Sequence, residues 1–243
     1  MSFTAVSRNF TVKVVAALVA VAMVFGGIML ASAKDASADP NRDRLRPGCE
    51  WDPYQWFVQY CQVFSPAMNR NIPVQIKAAT GGGDASLYML DGLWGFNKGA
   101  SGWIWSGHIA QTFANDNITL VAPAAGDGSF YTDWNTPAVT SEGVKIQKWE
   151  TFLTQELPVY LQREFGVNPN RNAIAGLSMG AAAAVSLAAR HRDQFKQVTS
   201  LSGYYQMSNE VVATGTTAMV ASTGVVNPTG MWGLPVPASE QWR

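Results

Sequence analysis

The stretch that decides the fold is Gly176-Leu177-Ser178-Met179-Gly180, which has the form G-x-S-x-G. In this motif a serine stands on a tight turn, with a strand before it and a helix after it. Both are predicted, because residues 172–175 form a short apolar run and residues 181–190 are rich in the helix formers Ala and Leu. Glycines flank the serine because the turn leaves little room for a Cβ. Ser178 is therefore the candidate nucleophile, and a structural glycine-rich turn is the alternative.

Strands and helices alternate on both sides of this motif. The alternation predicts an α/β fold with a mainly parallel sheet that is covered by helices on both faces. A long loop is expected over residues 124–144, and residues 208–230 give no clear pattern. The predicted strands are 57–64, 72–78, 86–90, 118–122, 172–175 and 197–202, and the predicted helices lie within 103–115, over 146–165 with a break or kink at Pro158, and over 181–190.

The composition indicates one globular domain behind an N-terminal leader. The chain has 243 residues, of which 47% are hydrophobic and 14% are charged. Its 17 basic and 17 acidic residues balance, so nothing in the charge points to nucleic acid. We expect a signal peptide over residues 1–38, an N-terminal linker over residues 39–56 and the domain over residues 57–243.

The leader has the three parts of an export signal. Arg8 and Lys13 form a basic region, residues 14–30 are an uninterrupted apolar run, and an A-x-A site ends at Ala38. We expect cleavage after Ala38 and a secreted or cell-envelope protein. An uncleaved membrane anchor is the alternative, although the apolar run is close to the lower limit for a membrane span.

The two cysteines, Cys49 and Cys61, lie close together behind the leader. In an oxidising compartment they can pair and close a short loop, so we expect a disulfide between them. Two buried free thiols are the alternative. No histidine lies near either cysteine in the sequence, which argues against a catalytic thiol.

Several segments, taken together and in order, resemble one family: the mycolyltransferases of mycolic-acid bacteria, of the antigen 85 type. The resemblance runs from about residue 57 to residue 243, and the combination of motifs is more specific than any one of them. The segments are Leu90-Asp91-Gly92-Leu93, residues 129–134 (SFYTDW), residues 148–153 (KWETFL), Gly176-Leu177-Ser178-Met179 and Met231-Trp232-Gly233.

The resemblance implies an exported enzyme of the α/β-hydrolase fold that uses no cofactor and no metal. Members of this family move a mycoloyl chain between trehalose esters or onto cell-wall arabinogalactan. By resemblance, Ser178 is the nucleophile, and the backbone N–H groups of Met179 and of the Leu93/Trp94 stretch form the oxyanion hole. The implied partners are trehalose mycolates or other glycolipids and cell-wall polysaccharide.

The sequence departs from the family pattern where the sugar is expected. Trp94 replaces an arginine, Ile104 replaces an aspartate, and Gln206 stands where an acidic residue is expected. Fewer polar groups are left to hold a trehalose head, so the acceptor is in doubt. Trp94, Trp103 and Trp105 could form an apolar or sugar-stacking wall, and ordinary core packing is the alternative for at least two of them.

The sequence offers a nucleophile without a clear general base. In this fold the triad order is serine, then an acid, then histidine. The two histidines of the chain are His108, which precedes the serine, and His191, which follows it by 13 residues at the far end of the same predicted helix. That separation is roughly 20 Å along a helix axis, so His191 cannot reach Ser178 while the helix is intact. Both histidines are interpreted as structural. Glu240 has no predicted strand before it and is a poor candidate for the acid.

The count of strands agrees with an incomplete site. Six strands are predicted, whereas a complete hydrolase sheet would continue with two more that carry the acid and the histidine. We therefore expect a fold that is truncated before its last strands, and residues 39–243 that are inactive on their own. Three functions stay open: an exported acyltransferase, a non-catalytic cell-wall protein or truncated relic of the family, and a secreted carboxylesterase.

Overall fold

The central sheet has an antiparallel half and a parallel half. The computed structural model of the protein describes residues 39–53, 56–95, 99–206 and 209–233. The strands of the central sheet are β1 (Cys49–Trp51), β2 (Val58–Ser65), β3 (Arg70–Lys77), β4 (Ser86–Leu90), β5 (Thr119–Pro123), β8 (Asn172–Leu177) and β9 (Phe195–Leu201). Their order across the seven-stranded sheet is β1-β2-β3-β5-β4-β8-β9, with β1, β2, β3 and β5 antiparallel and β5, β4, β8 and β9 parallel.

Helices cover both faces of this sheet, as the sequence predicts. The larger apolar cluster lies on the face that Tyr88, Val121 and Ile174 present. A smaller cluster forms on the opposite face around Met89 and Leu120. The helices are α1 (Gly102–Trp105), α2 (Ile109–Thr112), α3 (Trp149–Thr151), α4 (Leu157–Phe165), α5 (Met179–Arg190) and α6 (Glu210–Ser222).

The register of the parallel strands brings the serine motif to one edge of the sheet. Leu90 at the end of β4 pairs with Gly176, and Leu177 at the end of β8 pairs with Leu201. Carboxyl ends of parallel strands meet at one edge, where ligands of open α/β sheets usually bind. Ser178 follows β8 directly, so it lies on that edge.

The helical stretch before β8 is continuous through Pro158, although the sequence predicts a break or kink there. A π-helical turn over Phe152–Glu156 joins α3 to α4, and Pro158 is the second residue of α4. Proline lacks an N–H and its ring clashes with a carbonyl in the preceding turn. A wider π turn directly before the proline changes the spacing of these carbonyls, which explains how the helix continues.

The structure adds detail to the sequence analysis in three other places. The predicted long loop contains a hairpin of β6 (Ala138–Thr140) and β7 (Gly143–Lys145). The predicted helix within residues 103–115 is two short helices, α1 and α2, because His108 between them has a left-handed φ of 48°. The region without a clear pattern contains α6, which Asn209 caps by accepting hydrogen bonds from two backbone N–H groups.

The segment predicted as a linker is packed onto the domain. Arg46 is only 2% exposed, and its backbone N–H donates to Gln59 Oε1 at 2.8 Å. Cys49 pairs with Cys61 in the β1–β2 register, and the structure joins the two in the expected disulfide. Residues 49–56 therefore belong to the sheet and its neighbourhood as far as the structure describes them, and the strand β1 was missed because it is only three residues long.

The predicted leader over residues 1–38 lies outside the described residues. Among the described ranges, no helix has the length and apolar character needed to cross a membrane. Within the same ranges β9 is an edge strand that pairs with β8, and Val198 and Leu201 on it are each 45% exposed.

Candidate active site

Ser178 stands on a strained turn between β8 and α5. Its backbone has φ 54° and ψ −113°, which non-glycine residues rarely adopt. Such strain persists where the surrounding structure enforces it, and it clusters at functional sites. Its backbone N–H donates to Leu201 O at 2.8 Å, which fixes the turn against β9. The geometry is that of a nucleophile elbow, which exposes a serine at the edge of the sheet.

The two glycines of the motif are required by close backbone packing. A Cβ at Gly176 would lie 2.0 Å from Gly180 O, and a Cβ at Gly180 would lie 2.4 Å from Leu90 O. Both neighbours are backbone atoms of packed elements, which move only at high cost. Helix α5 therefore starts directly against the end of β4, and this contact holds Ser178 next to the segment that follows β4.

The segment after β4 lies beside the serine. A Cβ built on Gly92 would lie 3.8 Å from Ser178 Cβ, so Gly92 is a neighbour of the serine. The predicted oxyanion donors are the N–H groups of Met179, which follows the serine, and of the Leu93/Trp94 stretch, which follows Gly92. Backbone amides placed around a serine in this way can hold the negative oxygen of a tetrahedral intermediate.

Hydrogen bonds from residues 128 and 130 hold Leu93 and Met179 in place. Leu93 O accepts a hydrogen bond of 2.9 Å from Gly128 N, and Met179 Sδ accepts one of 3.4 Å from Phe130 N. Phe130 and Tyr131 both have left-handed φ values, of 54° and 49°. Residues 128–130 therefore contact both Leu93 and Met179, a role that the sequence alone does not reveal.

Asp91 is a buried carboxylate beneath this loop. Its Oδ1 accepts hydrogen bonds from Ser101 Oγ at 3.1 Å and from Gly102 N at 3.0 Å, and its own N–H donates to Tyr131 Oη at 3.0 Å. Asp91 Oδ2 is buried and has no partner within the described ranges. Burial raises the pKa of this carboxyl to about 6, although the hydrogen bonds from Ser101 and Gly102 act to lower it.

Two of the three tryptophans near the site pack against the apolar core, as the packing alternative predicts. Trp103 and Trp105 pack against the smaller apolar cluster, and Trp103 Nε1 donates to Leu90 O at 2.9 Å. Ile104 between them is fully buried. Trp94 is 58% exposed beside the oxyanion loop, so it is the tryptophan of the three that a ligand could reach.

The two histidines have different surroundings. His191 caps the far end of α5, about 18 Å from its start for 12 helical residues. There its Nε2 lies 2.7 Å from Glu150 Oε1, which also accepts a hydrogen bond from Arg190 Nε at 2.9 Å. His108 is exposed between α1 and α2. In the part of the chain that the structure describes, no hydrogen bond to the Ser178 hydroxyl is formed.

Burial also acts on the cluster at the far end of α5. Burial alone would raise the pKa of the Glu150 carboxyl, but hydrogen bonds from Arg190 and His191 outweigh burial and lower this pKa below its ordinary value.

The other polar candidates of the sequence do not add to the site. Gln206 is exposed, and Glu240 lies outside the described residues. Across the described ranges no group of His, Cys, Asp and Glu is arranged to hold a metal ion.

Comparison with known proteins places the chain in a family. The family described as putative esterase matches residues 65–243. The diacylglycerol acyltransferase/mycolyltransferase Ag85A of Mycobacterium leprae is 39% identical over 176 residues, which are 72% of this chain and 53% of that protein. Ag85B of Mycolicibacterium smegmatis is 34% identical over 237 residues, which are 98% of this chain and 68% of that protein.

The chain belongs to the antigen 85 family of esterase-like α/β-hydrolases. Its structure is similar to the crystal structure of Mycobacterium tuberculosis MPT51, with a TM-score of 0.64 and 36% identity over 73% of this chain and 62% of that one. The fold class and the family predicted from the sequence are therefore confirmed. The chain spans about half the length of the Ag85A relatives that it matches.

Proposed function

We propose that this protein carries the nucleophile of an exported serine acyltransferase, which moves a mycoloyl or other long acyl chain between trehalose esters or onto cell-wall sugars. The observation that carries the proposal is the strained Ser178 on its elbow, next to Gly92 of the segment that follows β4. Membership of a family whose relatives are named diacylglycerol acyltransferase/mycolyltransferase supports the type of reaction.

In the proposed reaction Ser178 Oγ attacks the carbonyl carbon of the donor ester. The N–H groups of Met179 and Leu93 stabilise the oxyanion, and loss of one such donor typically costs about 3 kcal/mol of barrier. Collapse of the intermediate releases the donor alcohol and leaves an acyl-Ser178 ester. The hydroxyl of the acceptor then attacks this ester and carries the acyl chain away.

The proton of Ser178 needs a base that the described residues do not place within hydrogen-bonding distance. Neither His108 nor His191 forms a hydrogen bond with Ser178 among the described residues, so the proposal takes the base from outside them. We therefore propose that residues 39–243 alone do not turn over esters at an enzymatic rate. The oxyanion donors alone leave only a small rate above that in water.

The test compares the chain with a chimera in which it is fused to the part of M. smegmatis Ag85B that the match leaves uncovered. Each is incubated with p-nitrophenyl butyrate and trehalose, and the Ser178 peptide is examined for a butyryl adduct by mass spectrometry. The proposal expects acyl transfer in the chimera, none in its Ser178→Ala variant, and little in the chain alone. A folded chimera that forms an adduct on a different serine would refute it.

A second function is favoured by one observation, the lack of a base at Ser178 among the described residues. A cell-wall protein of this family that has lost its chemistry would keep the fold and its surface. Rapid turnover by the chain alone, dependent on Ser178, would exclude this alternative. A chimera that is folded but inactive would favour it over the acyltransferase.

A further inference from the structure

Tyr131 is a buried aromatic residue whose hydroxyl contacts the segment beside the serine. It is 1% exposed, and its Oη accepts a hydrogen bond of 3.0 Å from the backbone N–H of Asp91. Asp91 directly precedes Gly92, whose Cβ position lies 3.8 Å from Ser178 Cβ. The Tyr131 hydroxyl therefore fixes the main chain one residue before the point where this segment meets the serine.

The Asp91 N–H lies just past the paired part of β4. Leu90 is the last residue of this strand in register with β8, where it pairs with Gly176. A buried backbone N–H needs an acceptor, and beyond the end of the paired strand the hydroxyl of Tyr131 supplies it. A phenylalanine at residue 131 would keep the ring and remove this acceptor, so the amide would have to shift to find another one.

The ring that carries the hydroxyl is held by its neighbours. Trp149 packs edge-on against the Tyr131 ring, with centroids 5.4 Å apart and an interplanar angle of 80°. The main chain of Gly126 lies so close that a Cβ there would be 2.8 Å from Tyr131 Cε1. Tyr131 N also donates to Ser129 Oγ at 3.1 Å. Because this ring cannot move without disturbing packed neighbours, its hydroxyl has a fixed position.

The backbone at this position is strained. Phe130 and Tyr131 are consecutive non-glycine residues with left-handed φ values of 54° and 49°. Such angles cost free energy for a residue with a Cβ, and glycine would adopt them without that cost. Phe130 N donates to Met179 Sδ, and Tyr131 Oη accepts from Asp91 N. Strain in two adjacent residues that contact both sides of the serine is typical of a functional site.

From these contacts we infer that Tyr131 is a positioning residue for acyl transfer. Its hydroxyl holds Asp91 so that the N–H groups of the Leu93/Trp94 stretch lie where the oxyanion forms. The inference rests on the proposed function, because it assigns the hydroxyl to the oxyanion donors of that reaction. Tyr131 acts through the backbone of Asp91. Since a misplacement of about 1 Å can lower a rate about a hundredfold, one hydrogen bond at this point has a large effect on kcat.

The test compares Tyr131→Phe with Tyr88→Phe in the folded chimera with the uncovered part of M. smegmatis Ag85B. Tyr88 is the matched control, because it is fully buried on β4, its ring packs against Phe195, and no described hydrogen bond joins its hydroxyl to residues 91–94. Tyr131→Phe should lower kcat for p-nitrophenyl butyrate at least about tenfold and leave KM within about twofold. Tyr88→Phe should leave both within about twofold.

A boronic acid inhibitor separates a positioning role from a purely structural one. It forms a tetrahedral adduct on the serine, so Tyr131→Phe should weaken its binding by about the same factor as kcat/KM falls. A residue that only stabilised the fold would lower the melting temperature and leave kcat per active site, titrated with a fluorophosphonate, unchanged. A folded Tyr131→Phe chimera with kcat and inhibitor affinity within about twofold of wild type would overturn the inference.

Hydrogen exchange measured by NMR on the full chain separates failure of the inference from failure of the proposed function. Tyr131→Phe should raise the exchange rate of the Asp91 amide at least about tenfold, and Tyr88→Phe should not. An unchanged rate in Tyr131→Phe would overturn the inference whatever the chimera does. A raised rate together with a folded wild-type chimera that is inactive would support the assigned position of the hydroxyl and count against the proposed function alone.

Discussion

Helix α5 begins at the residue after Ser178 and ends beside His191, and the two ends have different surroundings. At its start, glycines pack backbone against backbone and the serine hydroxyl has no partner among the described residues. At its end, Glu150 binds both Arg190 and His191. The start of α5 has a strained backbone at Ser178, whereas the polar side chains at its end bind one another.

This difference shows that the presence of typical catalytic residue types does not identify the reactive site. Histidine, glutamate and arginine are typical catalytic residues, yet here they form a closed cluster that ties the end of α5 to α3. The reactive geometry lies at the other end, where the backbone supplies the donors. The predictions below test each end of the helix and the buried acid beneath its start.

The largest effect is expected from Gly176→Ala. The new methyl group would lie 2.0 Å from Gly180 O, so the elbow must shift, and we expect the free energy of unfolding to fall by about 3 kcal/mol or more. Gly215→Ala in α6 is the matched control, because nothing lies within 4 Å of its Cβ position. It should be neutral or stabilising by about 0.5–1 kcal/mol. Urea denaturation measures both, and equal effects would contradict the described packing at the elbow.

The second-largest effect is expected from the Asp91 carboxyl on the pH dependence of stability. Its pKa is raised from 3.8 to about 6 by burial, so in this window the folded chain holds a proton that the unfolded chain has lost. Stability should therefore fall as the pH rises from about 4 to above 6, by up to about 3 kcal/mol. Asp91→Asn should remove this slope, and Asp193→Asn, an exposed carboxylate, should leave it in place. Denaturation curves at pH 4, 5, 6 and 7 measure it; the same slope in Asp91→Asn would count against this effect.

A smaller effect of opposite sign is expected at the far end of α5. The pKa of Glu150 is lowered below 4.5, so its interactions stabilise the fold at neutral pH and are lost as the pH falls through the folded pKa. Glu150→Gln should cost about 1–3 kcal/mol at pH 7, and the variant should approach wild type below about pH 4. Asp84→Asn breaks an exposed pair with Arg171 and should cost less than about 1 kcal/mol. A Glu150→Gln variant as stable as wild type at pH 7 would show that the cluster is not a structural tie.

The smallest effect is expected from the histidines on serine reactivity. His191→Phe and His108→Ala should label at Ser178 with a fluorophosphonate at rates within about twofold of wild type, because His191 contacts Glu150 at the far end of α5 and no described hydrogen bond joins His108 to the serine. Thermal denaturation of each variant serves as the control for folding. A loss of labelling by more than tenfold in a folded His108→Ala protein would identify His108 as the base.

The sequence predicts the elbow and the parallel strands because local signals agree there: G-x-S-x-G lies between an apolar run and a helix former run, and the structure shows β8 and α5 in those places. It predicts the disulfide because only Cys49 and Cys61 are present to pair. Where local signals conflict with the packing, the sequence fails. Helix α6 is rich in Thr and Val, which are weak helix formers, and contains one glycine, and only the cap at Asn209 signals its start.

The support for the oxyanion loop could not be predicted, because it depends on contacts between distant segments. Phe130 and Tyr131 have left-handed backbones that bring Met179 and Asp91 to the same loop. No periodicity signals such a stretch.

The central claim is that Ser178 is the nucleophile. The measurement is fluorophosphonate labelling, followed by peptide mapping, of the folded chimera with the uncovered part of M. smegmatis Ag85B and of its Ser178→Ala and Ser202→Ala variants. Ser202 is the matched control, because it also follows a parallel strand and has a left-handed φ of 57°. We predict a single adduct on Ser178, its loss in Ser178→Ala and its retention in Ser202→Ala. Equal labelling of the folded Ser178→Ala chimera would contradict this claim.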